Sequence, residues 1–333
     1  MKAAYIETTG PAESIRYGEL PKPVPGDRDI LVKVECAALN PVDTYIRAGL
    51  VAMPLPKPFI PGCDLAGTVE SVGPNATRFK VGDRVWGSNQ GLLGRQGTFA
   101  EYCCTSEDWL YPLPASVRAQ DAAALALVGI TAHLGLFWRT DLRAGETVFV
   151  NGGTGGVGMA VTQMAKATGA KVITTVGSPE KAELARQFGA DVVVNYKTDD
   201  VPAAVTAVPE GRGVDVWYET LPPTDFERTV DLVAPRGRIV VMAGRQAKPV
   251  FPNGAFYVKG LSLFGFVMFA MTPDEQRRCA DDMNRWMTDG KLKAMIGRVF
   301  PFSDAAAAHK LQEENTLGKQ GTLSGKIVLV PGG

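Results

Sequence analysis

The chain has 333 residues, enough for two domains of about 150 residues each with separate cores. Lysine and arginine number 35 against 35 aspartates and glutamates, so no net field draws in nucleic acid or an anionic membrane. Five cysteines (Cys36, Cys63, Cys103, Cys104, Cys279) show no C-x-x-C spacing and only two histidines occur, which argues against a disulfide framework or a zinc cluster.

Behind Lys2 there is no apolar run, so no signal peptide is expected. About the first 125 residues read as irregular and β-rich. Ile30–Cys36 alternates, Gly67–Gly73 is strand-like between glycines, and Gly82–Gly87 is a turn feeding a short strand. Prolines at 21, 23, 25, 54, 56, 58 and 61 fit loops and strand edges. A helix begins near Asp121, with that residue as cap or first-turn acid. Apolar strands then alternate with helical stretches. The strands are 147–151, 171–176, 191–195, 214–219, 238–242 and 261–267, with helices starting near Val157, Pro179, Asp199 and Thr224. Six strands joined by crossovers of this length predict a parallel doubly wound sheet. The greasiest run, Leu261–Met271, is about half a membrane span, so it reads as a buried strand with a short apolar extension. Thr272-Pro273-Asp274-Glu275 is a capping box for a helix running to Gly290. A second helix begins at Ser303, and 325–330 is a closing strand. This last segment is expected to fold back onto the N-terminal region. The expected divisions are therefore 1–124, an inserted sheet domain over 125–265, and 266–333.

The cofactor signal is the turn Gly152-Gly153-Thr154-Gly155-Gly156-Val157-Gly158 between the strand 147–151 and the helix 159–168. Gly153, Gly155 and Gly158 satisfy G-x-G-x-x-G in its meaningful context, strand to turn to helix. Glycines let the backbone approach a pyrophosphate, and the free N–H groups and dipole at the helix start attract its charge. An NAD-specific site places a carboxylate at the tip of the second strand to hold the ribose hydroxyls. Here that strand ends in Gly177-Ser178-Pro179-Glu180-Lys181, with a hydroxyl and a cation suited to a 2′-phosphate. NADPH is therefore favoured. Glu180 stands against it, and Lys181 also reads as a solvated helix lysine.

With these features in place, the chain resembles the medium-chain dehydrogenase/reductase superfamily and, within it, the zinc-independent quinone oxidoreductases of the zeta-crystallin type. The resemblance spans essentially the whole length. It rests on Ala38-Leu39-Asn40-Pro41-Val42-Asp43-Thr44-Tyr45-Ile46-Arg47-Ala48-Gly49, on Pro61–Gly67, on Gly82-Asp83-Arg84-Val85, on the glycine turn, and on Gly177–Lys181 with Asn195-Tyr196. It implies an α/β fold in which a GroES-like β-rich catalytic domain carries an inserted Rossmann domain. The zinc-dependent branch would show a cysteine near Asn40 and Gly-His-Glu where Gly62-Cys63-Asp64 stands. Only Cys63 remains at a ligand-like position, and it reads as a small packed residue. No metal is expected. Without a Lewis acid, the remaining chemistry is hydride transfer from NADPH to an electron-poor quinone or enone.

The resemblance further implies that Asn40, Asp43 and Tyr45 line the nicotinamide and substrate end, with Tyr45 a donor to the reduced carbonyl or a core aromatic. Thr131 would lie beside the nicotinamide. Thr154, Gly155, Gly156 and Val157 would hold the pyrophosphate, and Gly177, Ser178, Lys181 and Tyr196 the 2′-phosphate. Leu221 would lie under the adenosine. Gly244, Arg245, Phe266 and Val267 would flank the nicotinamide ribose and ring. Relatives place an arginine before the last strand, where residues 320–325 have none, and Lys319 is a substitute. A double proline at 222–223 leaves the adjoining loop's shape open. His133 reads as packed or as a proton relay, and His309 as structural. Leu50, Met53, Leu92, Phe256 and Met268 are either acceptor-lining or core. A cytoplasmic homodimer pairing its sixth strands edge to edge is expected, since Leu261–Val267 would be a hazardous exposed edge in a monomer. An enoyl or alkenal reductase and a non-catalytic NADPH-binding protein are the competing readings.

Overall fold

The computed structural model describes residues 1–207 and 211–332. Two compact units emerge. One comprises Met1–Leu127, Ala280–Thr288 and Lys293–Gly333, and the other Val128–Cys279 and Asp289–Leu292.

The first unit is built on a sheet ordered Ile296–Pro301, Lys326–Val330, Asp29–Leu39, Asp64–Val72, Arg84–Gly87 and Leu110–Pro112, with Tyr102–Ser106 also paired to Asp29–Leu39. Alternation along Asp29–Leu39, with a register shift between Val34 and Cys36 that changes its phase, turns Val32, Val34 and Leu39 into a core with Leu65, Val69, Val85, Phe99, Phe302, Ile327 and Leu329. Register places the site. Ile327 pairs with Leu39, and Ala38 pairs with Asp64. The three segments therefore bring Lys326, Asn40 and Asp64 to one end of adjacent strands. A helix not singled out by periodicity, Pro41–Arg47, comes immediately after Asn40. Its start has a sequence signature, with Pro41 at the first helical position and the Asp43 carboxylate accepting the Asn40 N–H at 2.7 Å.

The second unit is a six-stranded parallel sheet. Taking its strands in chain order (Thr147–Asn151, Lys171–Val176, Val192–Asn195, Val214–Glu219, Val233–Val241, Ser262–Gly265), the spatial order is 3-2-1-4-5-6. That is the dinucleotide-fold order, with the switch point beside the first strand. Both faces are covered, so the strands are nearly continuous in apolar residues: Val148, Phe149 and Val150 are all buried. Trp217 pairs with Phe149 across the ladder, and their rings stack at 3.9 Å.

Two expectations need adjusting. The sixth strand stops at Gly265, where its partner strand also ends, at Val241, to which Gly265 is paired; residues 266–267 lie beyond the ladder. The longest apolar element is also not Leu261–Met271. The helix Ala119–His133 continues as a π-helical turn to Arg139, and this run is long and apolar enough to cross a membrane. It is mostly buried in the protein, as a core helix is.

Candidate active site

In the second unit the glycine turn is held from below. Asn151, at the tip of the first strand, donates to Glu219 Oε1 at 2.8 Å and accepts from the Thr175 hydroxyl at 2.6 Å. Thr175 in turn accepts the Gly152 N–H at 2.9 Å. Glu219 also takes the Leu221 N–H at 2.9 Å and the Trp217 indole N–H at 3.3 Å. Burial pushes its carboxyl pKa up, and these donors oppose the shift. One buried carboxylate thus ties the glycine turn to the Leu221 loop. Neither Glu219 nor Thr175 was singled out from sequence. The available signal was an acid directly after the apolar run Val216-Trp217-Tyr218 of a central strand.

The glycines divide by role. A Cβ on Gly153 would sit 1.9 Å from the Thr174 hydroxyl, and one on Gly158 2.2 Å from the Gly152 carbonyl, so these two serve close packing. A Cβ on Gly155 would meet only the Gly152 carbonyl, at 3.4 Å, so this side of the turn is open. Gly155 caps the helix Gly156–Thr168 without any side-chain hydrogen bond. The first-turn N–H groups around Gly156 and Val157 are left for a ligand. Gly153 is buried, Thr154, Gly156 and Val157 are half-buried, and Gly155 is the exposed member of the turn's rim, as a phosphate-facing edge requires.

At the second strand's tip, a Cβ on Gly177 would lie 2.5 Å from the Tyr196 hydroxyl oxygen, so the absent side chain lets Tyr196 close against the turn. Ser178 caps the helix Pro179–Gln187, accepting the Lys181 N–H at 3.3 Å. Lys181 is half-buried, and its ammonium has no acceptor among the described residues. Gly177, Ser178, Lys181 and Tyr196 are thus one corner. The exposed Glu180 carboxylate shares it, and the Ser178 hydroxyl holds that acid below the usual range.

Elsewhere in this unit, Leu221 is partly exposed, and Gly244, at φ +84°, packs against Pro222. Arg245 and Val267 are exposed or nearly so; Phe266 lies half-buried under the Arg139 guanidinium. The Tyr218 hydroxyl donates to the Thr131 carbonyl at 3.0 Å, and Gly135 leaves room for the tyrosine ring. These contacts fix the backbone at Thr131. His133 is buried with its ring 4.6 Å from that of Phe137.

In the first unit, register produces a buried polar cluster. Asn40 Nδ2 donates to Asp64 Oδ2 at 2.8 Å, and Lys326 Nζ donates to the Leu39 carbonyl at 2.8 Å and to Asn40 Oδ1. Asp64 also accepts the Ser88 hydroxyl at 2.6 Å and the Leu127 N–H at 3.3 Å. Burial drives the Asp43 carboxyl up to about 7, raises Asp64 and the Cys63 thiol, and lowers the Lys326 ammonium against the pull of the acids. The side chains of Asn40 and Asp43 are therefore spent inside the unit. Tyr45, on the helix that Asn40 and Asp43 start, is half-buried with a hydroxyl that makes no hydrogen bond among the described residues. Burial raises its pKa, so it keeps its proton. Lys319 lies exposed beyond the helix Ala305–Thr316.

A zinc ion does not suit this donor set. Cys63 is held as a neutral thiol, a lysine ammonium donates into the same cluster, and no group of three metal-binding side chains occurs among the described residues. All five cysteines are free thiols. The glycine turn, by contrast, fits a dinucleotide, through the open side at Gly155 and the uncapped helix start.

Comparison with known proteins agrees with this geometry. The alcohol dehydrogenase GroES-like domain family matches residues 26–115, and the zinc-binding dehydrogenase family matches 156–286. Quinone oxidoreductase from Homo sapiens is 32% identical over 331 residues, covering 99% of this chain and 98% of that one. A 2-haloacrylate reductase from a Burkholderia species is 30% identical over 99% of this chain and 98% of its own. Among solved structures, Escherichia coli quinone oxidoreductase complexed with NADPH is similar at TM-score 0.86 and 28% identity, covering 99% of this chain and 100% of that one. A protein described as an NAD-dependent alcohol dehydrogenase is similar at TM-score 0.89 and 31% identity, with full coverage of both chains.

Proposed function

Because the chain belongs to the quinone oxidoreductases of the medium-chain dehydrogenase/reductase superfamily, we propose that this oxidoreductase passes hydride from NADPH to a quinone without a metal. The observation that carries the cofactor choice is the corner at the second strand's tip. Lys181 and Ser178 stand at the start of the helix there, beside Gly177 and Tyr196, where an NAD site would put a carboxylate. The NAD-dependent neighbour and Glu180 are the considerations on the other side.

When bound, the reduced nicotinamide supplies the hydride. The residues of this chain do the rest. Gly155, Gly156 and Val157 hold the pyrophosphate with backbone N–H groups, and Thr131 positions the nicotinamide end. The Tyr45 hydroxyl, kept protonated, donates a hydrogen bond to the acceptor oxygen as negative charge arrives there. Asn40, Asp64 and Lys326 act through the backbone by fixing the start of the helix that bears Tyr45. A quinone or enone is polarised enough to take hydride with that help alone, whereas an alcohol must also lose its hydroxyl proton, which a Lewis acid would assist. Similarity to a protein named for 2-haloacrylate reduction favours a second reading, a reductase of conjugated carbon–carbon bonds, with the same residues in the same roles. A cytoplasmic homodimer completes the proposal. The sixth strand is an edge, and Leu263, Val267, Tyr257 and Val258 on and beside it are exposed.

The test is NADPH and NADH oxidation with 1,4-benzoquinone, 9,10-phenanthrenequinone and crotonyl-CoA as acceptors. Turnover of the quinones with NADPH preferred is the expected result. Turnover with the thioester alone moves the assignment to the second reading, and no turnover despite tight NADPH binding leaves a binding protein.

A further inference from the structure

We propose that Arg95 is the recognition residue for an anionic group, such as a carboxylate, carried by the electron acceptor; this rests on the hydride-transfer reading above and narrows its substrate class. Three arginines of the first unit approach carboxylates in ion pairs, Arg28 with Glu107, Arg47 with Glu313 and Arg118 with Asp121, and Arg84 spends its terminal nitrogens on the Pro114, Ala115 and Val117 carbonyls. Arg95 is half-buried and pairs with no carboxylate among the described residues. Burial lowers its pKa, the mark of a cation held away from water without a counter-ion. Such a charge persists where a ligand completes it.

The guanidinium is also aimed. Its Nε donates to the Asn89 carbonyl at 2.7 Å, and its central carbon lies over the Trp109 ring, 5.4 Å from the centroid. Those two contacts fix the group while leaving both terminal nitrogens for the parallel pair of hydrogen bonds that a carboxylate accepts.

The loop presenting it is built rather than slack. Asn89 and Leu93 both adopt left-handed backbone, at φ 70° and 52°, a strained state for leucine that persists only where surroundings impose it. The surroundings are on hand: Gln90 N–H donates to the Cys63 carbonyl at 3.2 Å, Gly94 N–H to the Pro54 carbonyl at 3.1 Å, and Gln96 bridges the Ile60 N–H and the Pro58 carbonyl, both at 2.8 Å. Gln90 in the same loop is 1% exposed, and its Oε1 has no hydrogen-bond partner among the described residues, a second polar group left for a ligand in the loop that carries the cation. Cys63 links this loop to the catalytic helix. It lies within electrostatic reach of Arg95 and packs its thiol against Asp43, two residues before Tyr45. The cation and the proposed hydrogen-bond donor to the acceptor therefore share neighbours in one unit.

The experiment compares 9,10-phenanthrenequinone with its 2-carboxylate, using NADPH and the full-length wild type, Arg95→Gln and Arg95→Lys proteins. We expect Arg95→Gln to lower kcat/KM for the carboxylate about tenfold or more, through KM, as loss of a charge-assisted pair requires, with the neutral quinone within about twofold of wild type. Lysine should restore part of the loss. Equal losses on both acceptors, or no change on either, overturn the proposal. Equilibrium dialysis of the carboxylate against the same proteins separates the two claims. Binding that depends on Arg95 without any NADPH oxidation contradicts the hydride-transfer reading and leaves the anion site standing, whereas binding that ignores the substitution sinks the site alone.

Discussion

At the scale of single residues, Lys181, Tyr45 and His309 each carry a distinct, measurable consequence. Replacing Lys181 with alanine removes the cation proposed to face a 2′-phosphate. The NADPH KM should rise about tenfold and the NADH KM should stay near its wild-type value, as steady-state kinetics with both cofactors would show. Tyr45→Phe keeps the ring and removes the proton donor, so kcat should fall by about one to two orders of magnitude with cofactor affinity unchanged. A pH measurement tests the burial of His309. Its two ring nitrogens lack partners among the described residues, and burial, reinforced by the Arg47 cation, pushes the imidazole down to about 3. The unfolded chain takes up a proton below about 6.5 that the folded chain refuses until far lower pH. Stability should therefore fall as pH drops from about 6.5 towards 3, and His309→Phe should flatten the Tm against pH in that window. Placement was legible where it is local: Ser178 and Lys181 follow within five residues of their strand's end at Val176. It was not legible at Asn40, Asp64 and Lys326, whose contact depends on the register of three segments far apart in the chain. The resemblance put Asn40 and Asp43 at the nicotinamide and substrate end; both side chains are buried, the Asp43 carboxylate accepting the Asn40 N–H and the Asn40 amide donating to Asp64.

At the scale of elements, the glycine turn separates packing from binding. Gly155→Ala adds a methyl where only one carbonyl stands, at 3.4 Å, so the fold should keep its Tm while NADPH binding weakens, as calorimetric titration would register. Gly153→Ala forces a methyl to within 1.9 Å of the Thr174 hydroxyl, so this variant should lose both stability and binding. If the two variants behave alike, the open side of the turn is not where the pyrophosphate sits. The strand-turn-helix unit could be read from sequence because its apolar run, glycines and amphipathic helix are contiguous. The short helix Pro41–Arg47 and the π-helical turn at Leu134–Arg139 were missed for a physical reason. Seven residues carry too little periodicity to show, and the widened turn goes with a tertiary contact, Gly135 lying against the Tyr218 ring.

At the scale of the whole molecule, two units are assembled from a chain that leaves the first and returns to it, which the composition change near Asp121 and the late closing strand already suggested. The dimer expectation belongs here. Placing a charge on the edge strand by Leu263→Asp should shift the protein towards monomer in analytical ultracentrifugation while cofactor binding persists; an unchanged sedimentation coefficient would count against pairing through that edge. The central step we propose is the passage of hydride from reduced nicotinamide to a conjugated carbonyl using side chains and backbone alone. A stopped-flow single turnover tests it most directly, with equimolar NADPH and 1,4-benzoquinone mixed with chelator-treated protein. Complete loss of the reduced-nicotinamide absorbance is predicted, at the same rate before and after chelation and slowed by Tyr45→Phe. Loss of absorbance only after zinc is added back would contradict it.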